Sequence, residues 1–154
     1  MSERTLRILL GEDSKVFAKA HEITLRKAGY DVVIASDGLA ALEAARSQCP
    51  DLIILDLMLP KLQGQTVLRE LKKSAQTANI PVIIYSGLPE SNRSKLMMAG
   101  AHSYIEKNKI DSDDFLAAIR RVFVLESMLE KKKRSRCHEY WAEYSTMTSI
   151  PATT

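Results

Sequence analysis

Three acids, one lysine and a serine–glycine pair stand where short apolar runs end. Glu12 and Asp13 come just after Ile8-Leu9-Leu10, and Asp56 directly follows Leu52-Ile53-Ile54-Leu55. Ser86-Gly87 follow Val82-Ile83-Ile84-Tyr85, and Lys107 comes two residues after Tyr104-Ile105. Carboxylates brought within a few ångströms of one another repel strongly in a partly dry crevice. Glu12, Asp13 and Asp56 can share a site only with a cation among them, and Lys107 or a bound divalent metal would meet that need. Ligands that are all oxygen, with space for water, favour Mg²⁺. A carboxylate held beside such an ion can act as a nucleophile and become an aspartyl phosphate. Phosphoryl transfer asks for little beyond positioning and neutralisation of the equatorial oxygens. Mg²⁺, the Lys107 ammonium, the Ser86 hydroxyl and the Gly87 backbone N–H are the groups available for that work.

This chemistry exists only if the apolar runs are neighbouring strands whose ends meet. The expected strands are Leu6–Leu10, Asp31–Ala35, Leu52–Leu55, Val82–Tyr85 and Ser103–Ile105, separated by helical patterns. Strands two to four are almost continuously apolar, as expected where helices cover both faces of a parallel sheet. Ser14 is placed to cap the first helix and Gly29 to stop it; Asp37 can cap the second. Gln65–Ser74 should carry the third helix and Glu90–Ala99 the fourth, before Gly100. Asp111 to Asp114 put acid at the positive end of the fifth. Five β-α units with short loops predict an α/β, doubly wound parallel sheet. Sites in such sheets lie beyond the carboxyl ends of the strands. Every strand end but the second carries a polar or charged side chain there.

Composition narrows the alternatives. A formal charge of +3 is too small to imply nucleic acid on its own. Cys49 and Cys137 cannot build a disulfide framework and lack the neighbours a zinc site needs. The run Ile8-Leu9-Leu10 is far shorter than a signal peptide's apolar stretch, and no segment approaches the ~20 apolar residues that span a bilayer. The expected location is cytoplasmic. The loop Gly11-Glu12-Asp13-Ser14 would repel the bare phosphate of a flavin mononucleotide, and neither G-x-G-x-x-G nor a Walker sequence is present. Asp56 is followed by Leu57-Met58, not by the Asp-x-Asp spacing of haloacid-type phosphatases.

With these pieces in order, the chain resembles the receiver domain of bacterial two-component response regulators over roughly residues 5–125. The matching pieces are Leu6–Leu10 with Glu12-Asp13-Ser14, Gly29-Tyr30-Asp31-Val32, Asp37-Gly38, Pro50 to Asp56, Leu59-Pro60 with Gly64, Ile80-Pro81-Val82-Ile83, Ser86-Gly87, Ala99-Gly100-Ala101 and Tyr104 to Lys107. The resemblance implies a flavodoxin-like five-stranded sheet of order 2-1-3-4-5. It makes Asp56 the phosphoacceptor, with Asp13 and Asp56 on Mg²⁺, Glu12 acting through a metal-bound water, and the Met58 backbone carbonyl as a further metal ligand. Ser86 becomes the hydroxyl that moves toward the phosphoryl group, Gly87 its backbone neighbour, Lys107 the salt-bridge partner and Tyr104 the switch aromatic. The implied donor is a histidine kinase or histidine phosphotransfer protein. The implied output is contact with a downstream protein or self-dimerisation through the α4-β5-α5 face, with no role in membrane or nucleic-acid binding. Such a chain is a regulator with Mg²⁺-dependent self-phosphorylation and autodephosphorylation, not an enzyme acting on other substrates.

Three departures stand out. Glu12 replaces the commoner Asp, lengthening one metal-side acid by a methylene. Asn108 stands where Pro often follows the lysine; a cis peptide there would cost ~3 kcal/mol without proline. His21, near a position that is often apolar, reads as a half-buried spacer without a role. Plainer readings compete for several residues. Asp51 after Pro50 reads as a structural cap, and Tyr104 serves a core role nearly as well as a switch. The expected domains are a receiver over 1–125 and an extension over 126–154, helical and then disordered. That extension holds the basic block Lys131 to Arg136 and the stripe Cys137, Tyr140, Trp141, Tyr144 at helical spacing. The stripe can fold back on its own receiver or pair with a partner or a second copy. Two rival readings remain: a receiver fragment of a longer regulator, and a structural receiver that is never phosphorylated.

Overall fold

The computed structural model describes residues 4–147, and side chains for residues 4–132 other than Glu90. The elements in chain order are β1 (Arg7–Gly11), α1 (Lys15–Lys27), β2 (Asp31–Ala35), α2 (Gly38–Gln48), β3 (Leu52–Leu55), α3 (Gly64–Lys73), β4 (Val82–Ser86), a 3₁₀ turn (Glu90–Asn92), α4 (Arg93–Met98), β5 (Ser103–Glu106) and α5 (Ser112–Met147). The strands form one parallel five-stranded sheet of order β2-β1-β3-β4-β5, the doubly wound arrangement expected from the alternating pattern. Leu10 stands opposite Ile34 on one side and Ile54 on the other, and Ile84 stands between Leu55 and Tyr104.

Burial follows position in the sheet. β3 and β4 are buried at every residue, which is what continuous apolar runs inside a parallel sheet require. β2 departs from that expectation: Ile34 is exposed and Val33 half-buried. As the sheet's edge, β2 has a strand on one side only, so cover on both faces is incomplete there.

The helix ends are set by local chemistry. Ser14 Oγ accepts from Phe17 N at 3.4 Å, Asp37 from Ala40 N at 2.8 Å, and Asp111 from Asp114 N at 2.8 Å. Gly29 (φ 96°) and Gly100 (φ 107°) take the left-handed conformation that ends α1 and α4 at low cost. The fourth helix is shorter than Glu90–Ala99: its first turn is 3₁₀, and Asn92 offers no side-chain cap to the α-helix behind it. No peptide bond among the described residues is cis, so Asn108 sits in an ordinary trans linkage.

The chain divides into two compact units, Met1–Leu116 and Ala117–Thr154, with the boundary inside α5. In the second unit Val124, Leu125, Met128 and Leu129 are exposed. The helix runs on through the basic block, whereas the side chains of the Cys137-Tyr140-Trp141-Tyr144 stripe lie outside the described residues. Among the described residues no helix is long and apolar enough to cross a membrane.

Candidate functional site

Backbone hydrogen bonds carry the sheet one residue past its strands and so place the polar side chains. Glu12 N donates to Ala35 O (3.0 Å), Asp56 N to Gly11 O (3.0 Å) and Lys107 N to Ser86 O (2.9 Å). Each of these residues is therefore pinned at a carboxyl edge with its side chain free to turn toward the others. The carboxylate oxygens of Glu12, Asp13 and Asp56 come within 4.8 Å of one another. Glu12 is 3% exposed and Asp56 6%, while Asp13 stands at the open rim.

Lys107 is the cation in this group. Its Nζ donates to Asp56 Oδ2 at 2.7 Å and to Glu12 Oε2. The remaining oxygens are held by backbone: Ser14 N donates to Glu12 Oε1 (3.1 Å) and Met58 N to Asp56 Oδ1 (3.1 Å). Burial alone would lower the Lys107 pKa, but the hydrogen bonds to Asp56 and Glu12 and their charges outweigh it and raise it above 10.5. Three carboxylates still face one ammonium. Charges of one sign packed so closely call for a further cation, and oxygen donors in this number suit a hard divalent ion.

The fourth strand supplies Ser86, fully buried, whose Oγ accepts from Leu88 N at 3.3 Å; Gly87 follows it at the exposed surface. Tyr104 is also buried, and its hydroxyl donates to Leu88 O at 2.5 Å. That bond ties β5 to the loop carrying Ser86 and Gly87. Beside Asp56 opens a cleft of about 460 Å³ lined by Asp13, Leu57, Met58, Gln63, Gln65 and Leu88 among others. The structure thus brings together Glu12, Asp13, Asp56 and Lys107, with Met58 beside Asp56 and with Ser86, Gly87 and Tyr104 on the neighbouring strands.

Two rings of α1 lie beside the lysine: His21, expected as a half-buried spacer and half-buried here, and Phe17, which no motif in the sequence singles out. His21 lies edge-on to Tyr85 at 5.1 Å and tilted against Phe115 at 4.9 Å, ring centre to ring centre. Burial first, then the charge of Lys107, pushes its imidazole below 6.5. Phe17, one turn earlier on α1, lies over the Lys107 ammonium at 5.2 Å. The i, i+4 spacing of these rings on α1 was the sole signal in the sequence, and it does not say which strands they face.

Comparison with known proteins agrees with this fold. The sequence model of the response regulator receiver domain matches residues 8–120. The DNA-binding dual master transcriptional regulator RpaA of a Synechocystis species is 38% identical over 115 residues, which is 74% of this chain and 47% of that protein. The gliding motility regulatory protein of Myxococcus xanthus is 40% identical over 122 residues, 77% of this chain and 15% of that protein. The chain thus spans less than half the length of these relatives. Among solved structures, the Francisella response regulator 1452 receiver domain matches with TM-score 0.73 at 28% identity, covering 79% of this chain and 99% of that one. The receiver domain of sensor histidine kinase PA1611 from Pseudomonas aeruginosa PAO1, which holds a magnesium ion in its active site cleft, matches with TM-score 0.69 at 29% identity, covering 77% and 97%.

Proposed function

Because the chain belongs to the response regulator receiver family, we propose that it is a phosphorylation switch in which Asp56 accepts a phosphoryl group from a histidine kinase or histidine phosphotransfer protein. One observation carries the reading. Asp56 is a nearly buried carboxylate, bonded on one oxygen by a backbone N–H and on the other by Lys107, and crowded by two further acids. A structural carboxylate has no need of those neighbours.

The step is a displacement at phosphorus. An Asp56 carboxylate oxygen forms the new O–P bond as the P–N bond to the donor histidine breaks, and the electron pair leaves with the imidazole. Glu12, Asp13, Asp56 and the Met58 carbonyl would hold Mg²⁺, which when bound neutralises charge on the phosphoryl oxygens. Lys107 releases Asp56 Oδ2 and pairs with a phosphoryl oxygen instead. The Ser86 hydroxyl and the Gly87 N–H serve the remaining oxygen. Movement of Ser86 pulls on Leu88, and the Tyr104–Leu88 hydrogen bond passes the displacement to β5. Output then comes by protein contact or self-association through the α4–β5–α5 face, with the receiver unit at residues 1–125 and the extension at 126–154.

Incubation with Mg²⁺ and acetyl phosphate should raise the mass of the wild-type chain by one phosphoryl group and leave Asp56→Asn unmodified. Equal modification of the two would refute the assignment. A second reading, favoured by the greater length of the matched relatives, is that these residues are the receiver portion of a longer regulator. The mass of the protein isolated from its own cells decides between them.

A further inference from the structure

Lys107 is held from behind as well as from in front. In front are the carboxylates of Glu12 and Asp56. Behind, its Nζ lies 5.2 Å from the centre of the Phe17 ring and 5.7 Å from that of Tyr85, both inside the ~6 Å at which a ring face attracts a cation. The Tyr85 ring has an ordinary explanation, since it is buried in β4 against His21 and Phe115. Phe17 has none. It is 52% exposed on the first turn of α1 and adds little to the core, while the lysine side chain beside it is only 11% exposed.

We propose that Phe17 is a positioning residue for Lys107: its ring closes the outer side of the ammonium, shields it from water and keeps it directed at the oxygens on Asp56. This rests on the reading of Asp56 as acceptor. The lysine must change partner during the reaction, from a carboxylate oxygen to a phosphoryl oxygen. A hydrogen-bonding neighbour at its back would resist that move, and open water would compete for its N–H groups. A ring face does neither, because its attraction varies little as the ammonium swings. The ring is also fixed to the acidic group. Phe17 N donates to Ser14 Oγ, and Ser14 N donates to Glu12 Oε1, so one capping turn orients both the carboxylate in front of the lysine and the ring behind it.

The test uses the full chain with Phe17→Ala, Phe17→Leu and Phe17→Tyr. Two quantities are read: the affinity for fluoroberyllate with Mg²⁺, and the rate at which an acetylating ester modifies Lys107, with exposed Lys61 as internal reference. Phe17→Ala and Phe17→Leu should weaken fluoroberyllate binding about two- to fivefold and speed Lys107 acetylation by a similar factor. Phe17→Tyr, which keeps the ring, should match wild type in both. Phe17→Leu behaving like wild type would overturn the proposal, since an apolar cover would then suffice; so would unchanged Lys107 acetylation in Phe17→Ala. If wild type takes up no fluoroberyllate, the acceptor reading falls, and the acetylation rates still decide the role of Phe17.

Discussion

The two edges of the sheet handle charge in opposite ways. At the amino edge each carboxylate has basic or backbone partners of its own. Asp31 accepts from Arg7 Nε at 2.8 Å and lies 3.5 Å from Arg26, and Asp51 takes Arg4 Nη2 at 2.6 Å and Arg7 N at 2.8 Å. Arginines there outnumber the acids they serve, and they are well exposed. At the carboxyl edge three acids cluster and one largely buried lysine pairs with two of them, Glu12 and Asp56. The lesson is that pairing marks structure and surplus marks chemistry. A strand-end acid that is fully compensated holds the fold, and one that is under-compensated and buried marks the place of the proposed phosphoryl chemistry.

Removing the shared cation should break the comparison most severely. Lys107→Met leaves Glu12 and Asp56 buried without their ammonium, at a cost of roughly 3 kcal/mol, the lower end for breaking a buried pair. Urea unfolding without Mg²⁺ measures the loss, and added Mg²⁺ should restore more stability to the variant than it adds to wild type. A variant as stable as wild type would show that the carboxyl edge carries no surplus. The raised pKa of Lys107 fixes the pH range. The contribution of this pair stands in full below about 10.5 on the lysine's account and is lost as pH rises through the still higher folded value.

The next largest effect concerns the backbone that aims Asp56. A Cβ on Gly64 would stand 2.3 Å from the Asp56 carbonyl oxygen and 2.7 Å from Leu57 Cα, and neither can yield without moving the β3–α3 loop. Gly64→Ala should cost about 1–3 kcal/mol and weaken fluoroberyllate binding as well. Gly87→Ala, whose Cβ meets nothing within 4 Å, should leave the urea midpoint in place. If both alanines are neutral, Asp56 is not positioned by that close approach.

These two cases also show how much of the site is legible in the order of residues. Strand ends were legible because apolar runs stop at Glu12, Asp56, Ser86 and Lys107, and the helix stops at Gly29 and Gly100 were legible because only a flexible backbone suits them. The start of the fourth helix was not. After Pro89, Glu90–Asn92 contains residues equally at home in an α-turn or a 3₁₀ turn, and the absence of a side-chain cap shows only in three dimensions. The exposure of Ile34 was hidden because an edge strand and a central strand can carry the same apolar run. The Gly64 contact and the rings around Lys107 depend on which strands lie side by side, and spacing along one helix says nothing of that.

His21 gives a smaller effect, confined to mild acid. Its imidazole is held below 6.5 by burial and by Lys107, so the native state favours the neutral form. The unfolded chain takes up a proton near 6.5 and the folded chain only at lower pH. Stability should therefore fall as pH drops below about 6.5 and level off once the folded imidazole is also protonated. His21→Phe keeps a ring between Tyr85 and Phe115 and removes the titration. The difference in urea midpoint between wild type and this variant should widen from pH 7 to pH 5; a constant difference would show that the imidazole does not titrate in this range.

The smallest effect is expected at the amino edge, and it sharpens the comparison by contrast. The Asp31 carboxyl lies below its ordinary 3.8: the hydrogen bond from Arg7 outweighs the opposing effect of burial, and the charges of Arg7 and Arg26 lower it further. A depressed acid contributes stability that is present above its unfolded pKa and lost only as pH falls through the folded value, so nothing should titrate here between pH 5 and 8. The pair is also open to water: Arg7 and Asp31 side chains are 39% and 37% exposed, where salt screens them and side-chain ordering offsets most of the attraction. Asp31→Asn keeps an acceptor for Arg7 while removing the charge. It should shift the urea midpoint less than Lys107→Met or Gly64→Ala and leave both fluoroberyllate affinity and its Mg²⁺ dependence as in wild type. A loss of fluoroberyllate binding in Asp31→Asn would mean that the two edges communicate through the sheet, and the division between a structural edge and a chemical one would have to be given up.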